Sequence, residues 1–212
     1  MDIKTINYYN INIESITYFY NSNPEKPKYI EKLNLSQNRS EQILDVGFGS
    51  GRDYLYLAKE GYNVYGIDGS EKFVEHFLKS NPEYSKKIKY YVLPNKDNPF
   101  PIKFDTIICS AVLMHLYDKD ISETVNSFSN WLNWRSKLYI SIPKRRNDIG
   151  EDFRDKNGRY FNPIQPEFIS QLLSERSFIC KEIYPTGDSL SRNGIEWWNL
   201  LYEREWWMRI EL

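Results

Sequence analysis

The stretch Ile43-Leu44-Asp45-Val46-Gly47-Phe48-Gly49-Ser50-Gly51-Arg52-Asp53 decides the fold of this chain. Its apolar opening suits a buried parallel strand, and the residues from Arg52 to Glu60 read as a helix closed by Gly61. The glycine-rich segment between them is the turn joining a first strand to a first helix. Glycines belong there because such a turn visits positive φ and lets a ligand approach bare backbone. An acid ends the next strand: Val64-Tyr65-Gly66-Ile67-Asp68 places Asp68 21 positions after Gly47. A carboxylate at that place can accept both hydroxyls of a ribose. The glycine spacing is GxGxG, with Arg52 standing where a dinucleotide fingerprint has its third glycine. Asp45, just before the turn, would repel a pyrophosphate and suits a ligand carrying an ammonium group. The expectation is a nucleotide-like ligand other than NAD.

Outward from this stretch, strand and helix alternate. Strands are expected at 63–67, 88–92, 104–110 and 138–142, and two more at 178–184 and 195–202. Ser70 is the expected N-cap of a helix with the apolar stripe Phe73, Val74, Phe77 and Leu78. Ile121, Val125, Phe128 and Leu132 mark another helix, and Phe168, Ile169, Leu172 and Leu173 a further one. The pattern predicts an α/β fold: a doubly wound, Rossmann-like sheet of seven strands, mostly parallel, with an antiparallel last strand. Upstream, Ile6, Tyr9, Ile13, Ile16 and Tyr20 recur at helical spacing and predict one amphipathic helix over 4–20. Asn23-Pro24 and Lys26-Pro27 break it, and a short helix is expected over 27–34. Residues 143–164 are polar, charged and interrupted by Gly and Pro, so they read as a loop or lid. Two regions follow: a helical lid segment over 1–40 and a ligand-binding domain over 41–212.

Composition narrows the function. With 28 Lys+Arg against 29 Asp+Glu the formal net charge is -1, so nothing global draws the chain to nucleic acid or an anionic membrane. An apolar share of 41% and a mean hydropathy of -0.64 describe a soluble globular protein and exclude disorder as the whole answer. Cys109 and Cys180 each sit in an apolar run, and both are expected to be small buried hydrophobes in a reducing compartment. The opening MDIKTINYYN lacks a basic leader followed by an apolar stretch, and no window approaches the roughly 18 apolar residues of a membrane span. A cytoplasmic location is expected. His76 and His115 are the chain's two histidines, too few for a histidine-rich metal centre, and no metal is expected.

A family enters at this point. ILDVGFGSGRD, the strand VYGID with the following Gly69-Ser70, and PFPIKFDTIICSAVLMHL together resemble the class I S-adenosylmethionine-dependent methyltransferases over about residues 41–143. YYNINIESITYFY resembles the tyrosine-bearing helix that often precedes this fold, and GDSLSRNGIEWWNLLYER the last hairpin of small bacterial members. The resemblance implies S-adenosylmethionine as cofactor. Asp45 would meet the methionine amino group, directly or through water, while Gly47, Gly49 and Gly51 line the methionine and ribose. Asp68 would bind the ribose hydroxyls, Gly69 would lie beside the adenine, and Ser110 and Ala111 would face the methionine end. Two departures stand out. Val92-Leu93-Pro94-Asn95 occupies the place of the acid that commonly touches the adenine amine, leaving Asp97 or a backbone carbonyl to serve. Asn133-Trp134-Arg135-Ser136 replaces the usual Pro-Gly-Gly turn before the fifth strand.

Methyl transfer from a sulfonium asks the protein to align the acceptor and, where needed, to remove its proton. His115 follows the fourth strand at the place where a base would stand; the alternative is a histidine that opens a helix and bonds a loop carbonyl. Tyr9 is the second catalytic candidate and Tyr8 a substrate contact, both on the N-terminal helix, unless Tyr9 simply belongs to the apolar stripe. Arg52 is placed near the cofactor carboxylate, unless it is simply solvated, and Lys144, Arg145, Arg146, Arg154, Lys156 and Arg159 of the loop, joined by Arg192, are candidate clamps for an anionic acceptor. Asp148, Glu151, Asp152 and Asp155 in the same loop make its charge mixed, which favours a solvated lid. His76, at a helix edge, is assigned no chemistry. Asn162-Pro163-Ile164-Gln165 is superficially like the tetrapeptide of DNA amino-methyltransferases, but it follows the fifth strand and lacks the stacking aromatic, so it is rejected. The expected function is methylation of a small-molecule O, N or S acceptor by a monomer or homodimer. The alternatives are a tRNA or protein methyltransferase, or a non-catalytic binding subunit whose Trp206-Trp207 pair meets a partner.

Overall fold

The computed structural model describes residues 1–22, 27–37 and 39–205. The Asn23-Pro24 break, Lys26 and the Trp206-Trp207 pair lie outside the described residues. The chain opens with helices α1 (Ile3–Ile11), α2 (Ile13–Asn21) and the single turn α3 (Tyr29–Lys32). There follow β1 (Gln42–Val46), α4 (Arg52–Lys59), β2 (Asn63–Asp68), α5 (Glu71–Ser80), β3 (Ile88–Tyr90) and β4 (Phe104–Ser110). The second half holds α6 (Asp118–Trp131), β5 (Leu132–Arg146), α7 (Pro166–Ser174), β6 (Phe178–Gly187) and β7 (Ile195–Arg204).

The strands form one seven-stranded sheet in the order β3-β2-β1-β4-β5-β7-β6. The pairs from β3 across to β5 are parallel, and β7 runs antiparallel between β5 and β6. Because successive side chains in a strand point to opposite faces, neighbours separate into two cores. Leu44, Ile107, Leu138 and Ile140 pack with Ile121, Val125, Phe128 and Ile169 of α6 and α7. Ile43, Ile108 and Tyr139 pack with Tyr29, Tyr54, Leu57 and Phe77 of α3, α4 and α5. Buried on both faces, the central strands read as continuous apolar runs. The connections from β1 and β4 leave in opposite directions, and this reversal opens a crevice beyond their carboxyl ends, where ligands of such sheets bind.

Five expectations are corrected. The single helix over 4–20 is two helices, broken at Asn12 (φ -102°, ψ 19°), whose backbone N–H and side-chain amide both donate to the Tyr8 carbonyl. A side chain that competes for a helical carbonyl ends the helix where apolar periodicity alone would continue it. The helix over 27–34 shrinks to Tyr29–Lys32. β5 is much longer than 138–142: it starts directly after α6 and absorbs the Asn133-Trp134-Arg135-Ser136 segment as a bulge. Arg135 takes the left-handed conformation there at φ 61°, and the Asn133 amide donates to Asp105 at 2.8 Å. The same strand takes in residues 143–146, so the loop is shorter than 143–164 and carries its own bridges, Ile149 to Asp155 and Arg154 to Tyr160. Cys109 is buried as expected, but Cys180 is exposed on β6. No helix among the described residues is long and apolar enough to cross a membrane.

Candidate functional site

The turn after β1 holds three left-handed glycines, Gly47 at φ 72°, Gly49 at 54° and Gly51 at 79°. It is fastened by hydrogen bonds from the Gly47 N–H to the Ile67 carbonyl (2.7 Å) and from the Gly51 N–H to the Phe48 carbonyl (2.9 Å). The glycines are not equivalent. A Cβ at Gly47 would collide with Val112, and one at Gly51 with the Phe77 ring, so these two are demanded by packing. A Cβ at Gly49 would meet only the Gly47 carbonyl at 3.9 Å, so its bare backbone faces open space.

Two carboxyls flank the turn. Asp45, 4% exposed on β1, has one oxygen, Oδ2, buried without a hydrogen-bond partner. Burial pushes its pKa well above the usual carboxylate value, with Asp53 and Asp68 adding to the effect and Arg52 opposing it. A buried polar atom left unpaired is expensive, and an ammonium group is the partner that would satisfy this one. Asp68 ends β2 and accepts the Gly49 N–H at 2.9 Å on one oxygen and the Ser70 N–H at 2.7 Å on the other. Burial raises its pKa to about 6 despite those two bonds. Each oxygen keeps a lone pair for a ligand hydroxyl. Ser70 caps α5 as expected, and Gly69 forms one wall of a small cleft with Met1, Tyr91, Leu93 and Val112. Asp97 is exposed and does not line that cleft.

At the tip of β4, Ser110 bonds Ser141 of β5, and Ala111, held in the left-handed region at φ 57°, donates its N–H to the Ser141 hydroxyl at 2.9 Å. Beyond it stands His115, 3% exposed, in a single helical turn. Its Nδ1 lies 2.6 Å from the Tyr160 carbonyl, which can only accept, so Nδ1 carries the proton and Nε2 is the acceptor. Nε2 is 3.1 Å from the Tyr9 hydroxyl, which therefore donates to it. Arg159 Nη1 in turn donates to the Tyr9 oxygen at 3.4 Å, and its guanidinium lies over the Tyr8 ring at 4.6 Å. Burial, with Arg159 and Arg146 nearby, lowers the His115 pKa to about 4 against smaller opposing effects of the Tyr160 carbonyl and Asp155. Tyr9 is pushed up, chiefly by burial.

The structure brings Tyr8, Tyr9 and His115 together: His115 bonds a loop carbonyl through Nδ1, and its Nε2 faces the hydroxyl of Tyr9, whose ring packs edge-on against Tyr8. It separates Arg145 from Arg146. Arg146 is 5% exposed, paired with Asp148 and stacked 4.1 Å from the centroid of Phe161, which itself packs on His115. Arg145 is 67% exposed beside Glu196 and faces away from the cluster. Arg52 is held on Asp53 at 2.7 Å beneath the Tyr20 ring. Arg192 is paired with Asp188. Asn162 fastens the loop by donating to the Leu116 carbonyl and to Asp118, which gives the rejected tetrapeptide a structural role. Arg159, central to the cluster, is one of the six loop cations the sequence offers as clamps; the spacing Asp155-x3-Arg159, repeated at Asp188-x3-Arg192, is the signal that singles it out.

A methyltransferase-domain family matches residues 43–134. The chain is 34% identical over 158 residues to the tRNA U34 carboxymethyltransferase of Campylobacter fetus, covering 70% of this chain and 52% of that protein. It is 31% identical over 116 residues to phosphoethanolamine N-methyltransferase 1 of Zea mays, covering 54% of this chain and 22% of that one. The chain therefore spans about half of one of these relatives and under a quarter of the other. Among solved structures, the 1,6-didemethyltoxoflavin-N1-methyltransferase of Burkholderia thailandensis, with its substrate and S-adenosylhomocysteine bound, superposes with a TM-score of 0.65 at 14% identity, over 92% of this chain and 82% of that one. A methyltransferase domain is thus matched across the glycine-turn half of the sheet, and the sheet as a whole shares its fold with a solved methyltransferase.

Proposed function

We propose that the protein uses S-adenosylmethionine to methylate a small acceptor. The observation that carries this is the unpaired, buried oxygen of Asp45 beside a glycine turn whose Gly49 opens onto free space. Asp45 would receive the amino group, Gly47, Gly49 and Gly51 would lie along the methionine and ribose, and Asp68 would take the ribose hydroxyls. Gly69 and Leu93 would border the adenine, Ser110 and Ala111 would meet the methionine end, and Arg52 would stand near the carboxylate. Bound there, S-adenosylmethionine supplies a methyl group on a sulfonium, a good leaving group for in-line transfer.

The chain's own residues then align the acceptor and move its proton. Tyr9 offers the acceptor an oxygen lone pair while its own proton points at His115 Nε2. As the new bond to the methyl carbon forms, the acceptor's proton passes to the Tyr9 oxygen and the Tyr9 proton to Nε2. His115, being a weak base in this buried site, releases that proton readily afterwards. The helices α1 and α2 act as a lid: Asn10 accepts from Ser70 at 2.6 Å and Tyr9 packs on Phe73.

A tRNA acceptor is the second reading, favoured by the similarity to the Campylobacter protein. The net charge of -1 weighs against it. Label transfer from methyl-labelled S-adenosylmethionine into a low-molecular-weight metabolite pool, bulk tRNA and protein separates the readings: label in the small-molecule pool is expected. Label in tRNA alone would replace the reading, and no binding of S-adenosylhomocysteine in calorimetry would end it.

A further inference from the structure

Arg159 and Arg192 sit in two sockets of the same construction. Asp155 accepts the N–H groups of Asn157 and Arg159, both at 3.0 Å, and holds Arg159 through Nε (2.9 Å) and Nη2 (2.6 Å). Asp188 accepts the N–H groups of Leu190 and Arg192, both at 3.1 Å, and holds Arg192 through Nε (2.9 Å) and Nη2 (2.7 Å). Trp197 Nε1 closes the second socket at 3.0 Å. Both aspartate side chains are only 2% exposed, so the negative charge is covered by donors, and what each socket turns outward is the Nη1 edge of its guanidinium. Arg159 Nη1 makes one long bond, to Tyr9, and Arg192 Nη1 has no hydrogen-bond partner among the described residues.

The two sockets are close enough to couple electrostatically: Arg159 and Arg192 lie within reach of each other, Arg192 also feels Tyr20, and Tyr9 feels both Tyr20 and Arg159. Tyr8 and Tyr9 supply flat walls under Arg159. An arginine held by a backbone-fastened acid is preorganised; it spends little rotamer entropy when a ligand arrives, and its planar donors match a carboxylate. Arg159 stands beside the Tyr9–His115 pair, so a group anchored on it presents a nearby nucleophile to the Tyr9 oxygen.

Building on the methyltransferase reading, we propose that Arg159 and Arg192 form the acceptor's anchoring subsite and that the acceptor is a flat molecule carrying a carboxylate. Neutralising Arg159 in this way also removes one of the positive charges that hold His115 deprotonated, so the anchored acceptor strengthens the base it needs.

The probe pair is 4-hydroxybenzoate and its neutral amide 4-hydroxybenzamide, titrated into the full chain saturated with S-adenosylhomocysteine. The wild type is expected to prefer the carboxylate by about tenfold or more, as charge-assisted arginine pairs do. Arg192→Gln should bring the preference down to roughly twofold or less. Because Arg159→Gln alone strands Asp155, the double variant Asp155→Asn/Arg159→Gln is measured beside it, with the same loss expected and S-adenosylhomocysteine affinity retained. A wild type that binds neither probe, or both equally, overturns the proposal, as does a preference that survives both variants. S-adenosylhomocysteine binding on the same samples separates the levels: if it is present while the preference is absent, this subsite alone fails, and if it is absent, the methyltransferase reading fails with it.

Discussion

Replacing Asp45 by Asn separates what the buried carboxyl does for a ligand from what it does to the fold. In the free protein its side chain is 4% exposed, its Oδ2 is unpaired, and two further acids raise its pKa beyond the effect of burial. A carboxyl whose folded pKa lies above the unfolded value contributes stability at low pH and loses it as pH climbs through the folded value. At pH 8 the wild-type side chain therefore weakens the free protein, because unfolding returns the charge to water. An amide has no charge to desolvate, although it inherits an unpaired group, so the net gain for Asp45→Asn is about 1–2 kcal/mol. For a chain of 212 residues that corresponds to an unfolding midpoint about 2–8 °C higher at pH 8. The difference should narrow strongly towards pH 4, where Asp45 is protonated in the folded protein and about half protonated in the unfolded chain. With ligand the sign reverses: losing a buried, charge-assisted bond to an ammonium group removes about 2–4 kcal/mol, or roughly 30- to 1,000-fold in S-adenosylhomocysteine affinity. Scanning calorimetry at pH 8 and pH 4, with titration calorimetry at pH 8, measures both. A variant that melts lower at pH 8 yet binds S-adenosylhomocysteine as tightly as wild type refutes the reasoning.

Gly49→Ala should lower stability by only about 1–2 kcal/mol, the left-handed penalty for an L-residue, while its Cβ weakens S-adenosylhomocysteine binding. Gly51→Ala should lose more stability, since its Cβ also meets Phe77; equal midpoints for the two variants in a melting series would contradict this. Asp68, with its pKa near 6 in the free protein, should make S-adenosylhomocysteine affinity fall by up to about tenfold per pH unit below that value. Asp68→Asn should bind weakly at every pH, and a binding profile that still bends near pH 6 in that variant would reassign the group. Tyr9→Phe and His115→Gln should each slow methyl transfer by about 10- to 1,000-fold with cofactor affinity nearly unchanged, and a turnover within twofold of wild type would exclude the relay.

The glycine turn and its flanking acids were legible because they are local. A strand, a turn of glycines and an acid at the end of the next strand lie within 43–68, and their proximity in the fold follows from their spacing along the chain. The alternation of strand and helix was legible for the same reason: central strands are buried on both faces and show as apolar runs. β5 was underread because its ends, Asn133 to Lys137 and Pro143 to Arg146, are polar and extend past the core, where only pairing with β4 and β7 makes them strand. Arg159 stood undistinguished among six loop cations because nothing near it in sequence tells that Tyr8, Tyr9 and His115 gather around it. Those partners come from α1 and the β4 tip, more than 40 residues away.

The clamp between the two ends of the roof has a kinetic meaning. Asp2 grips Arg154 through both oxygens, at 2.8 and 3.0 Å, while the Tyr160 N–H donates to Thr5 at 2.9 Å, so α1 and the 147–165 loop are tied together. That piece carries Tyr9 and Arg159, the walls proposed for the acceptor, and it also covers Gly69 and Ser70 through Met1 and Asn10. An acceptor seated against the roof would seal the way in beneath it. Turnover then follows a fixed queue, with the methyl donor first in and its spent thioether last out. Steady-state inhibition by S-adenosylhomocysteine would accordingly be competitive towards the donor and noncompetitive towards the acceptor.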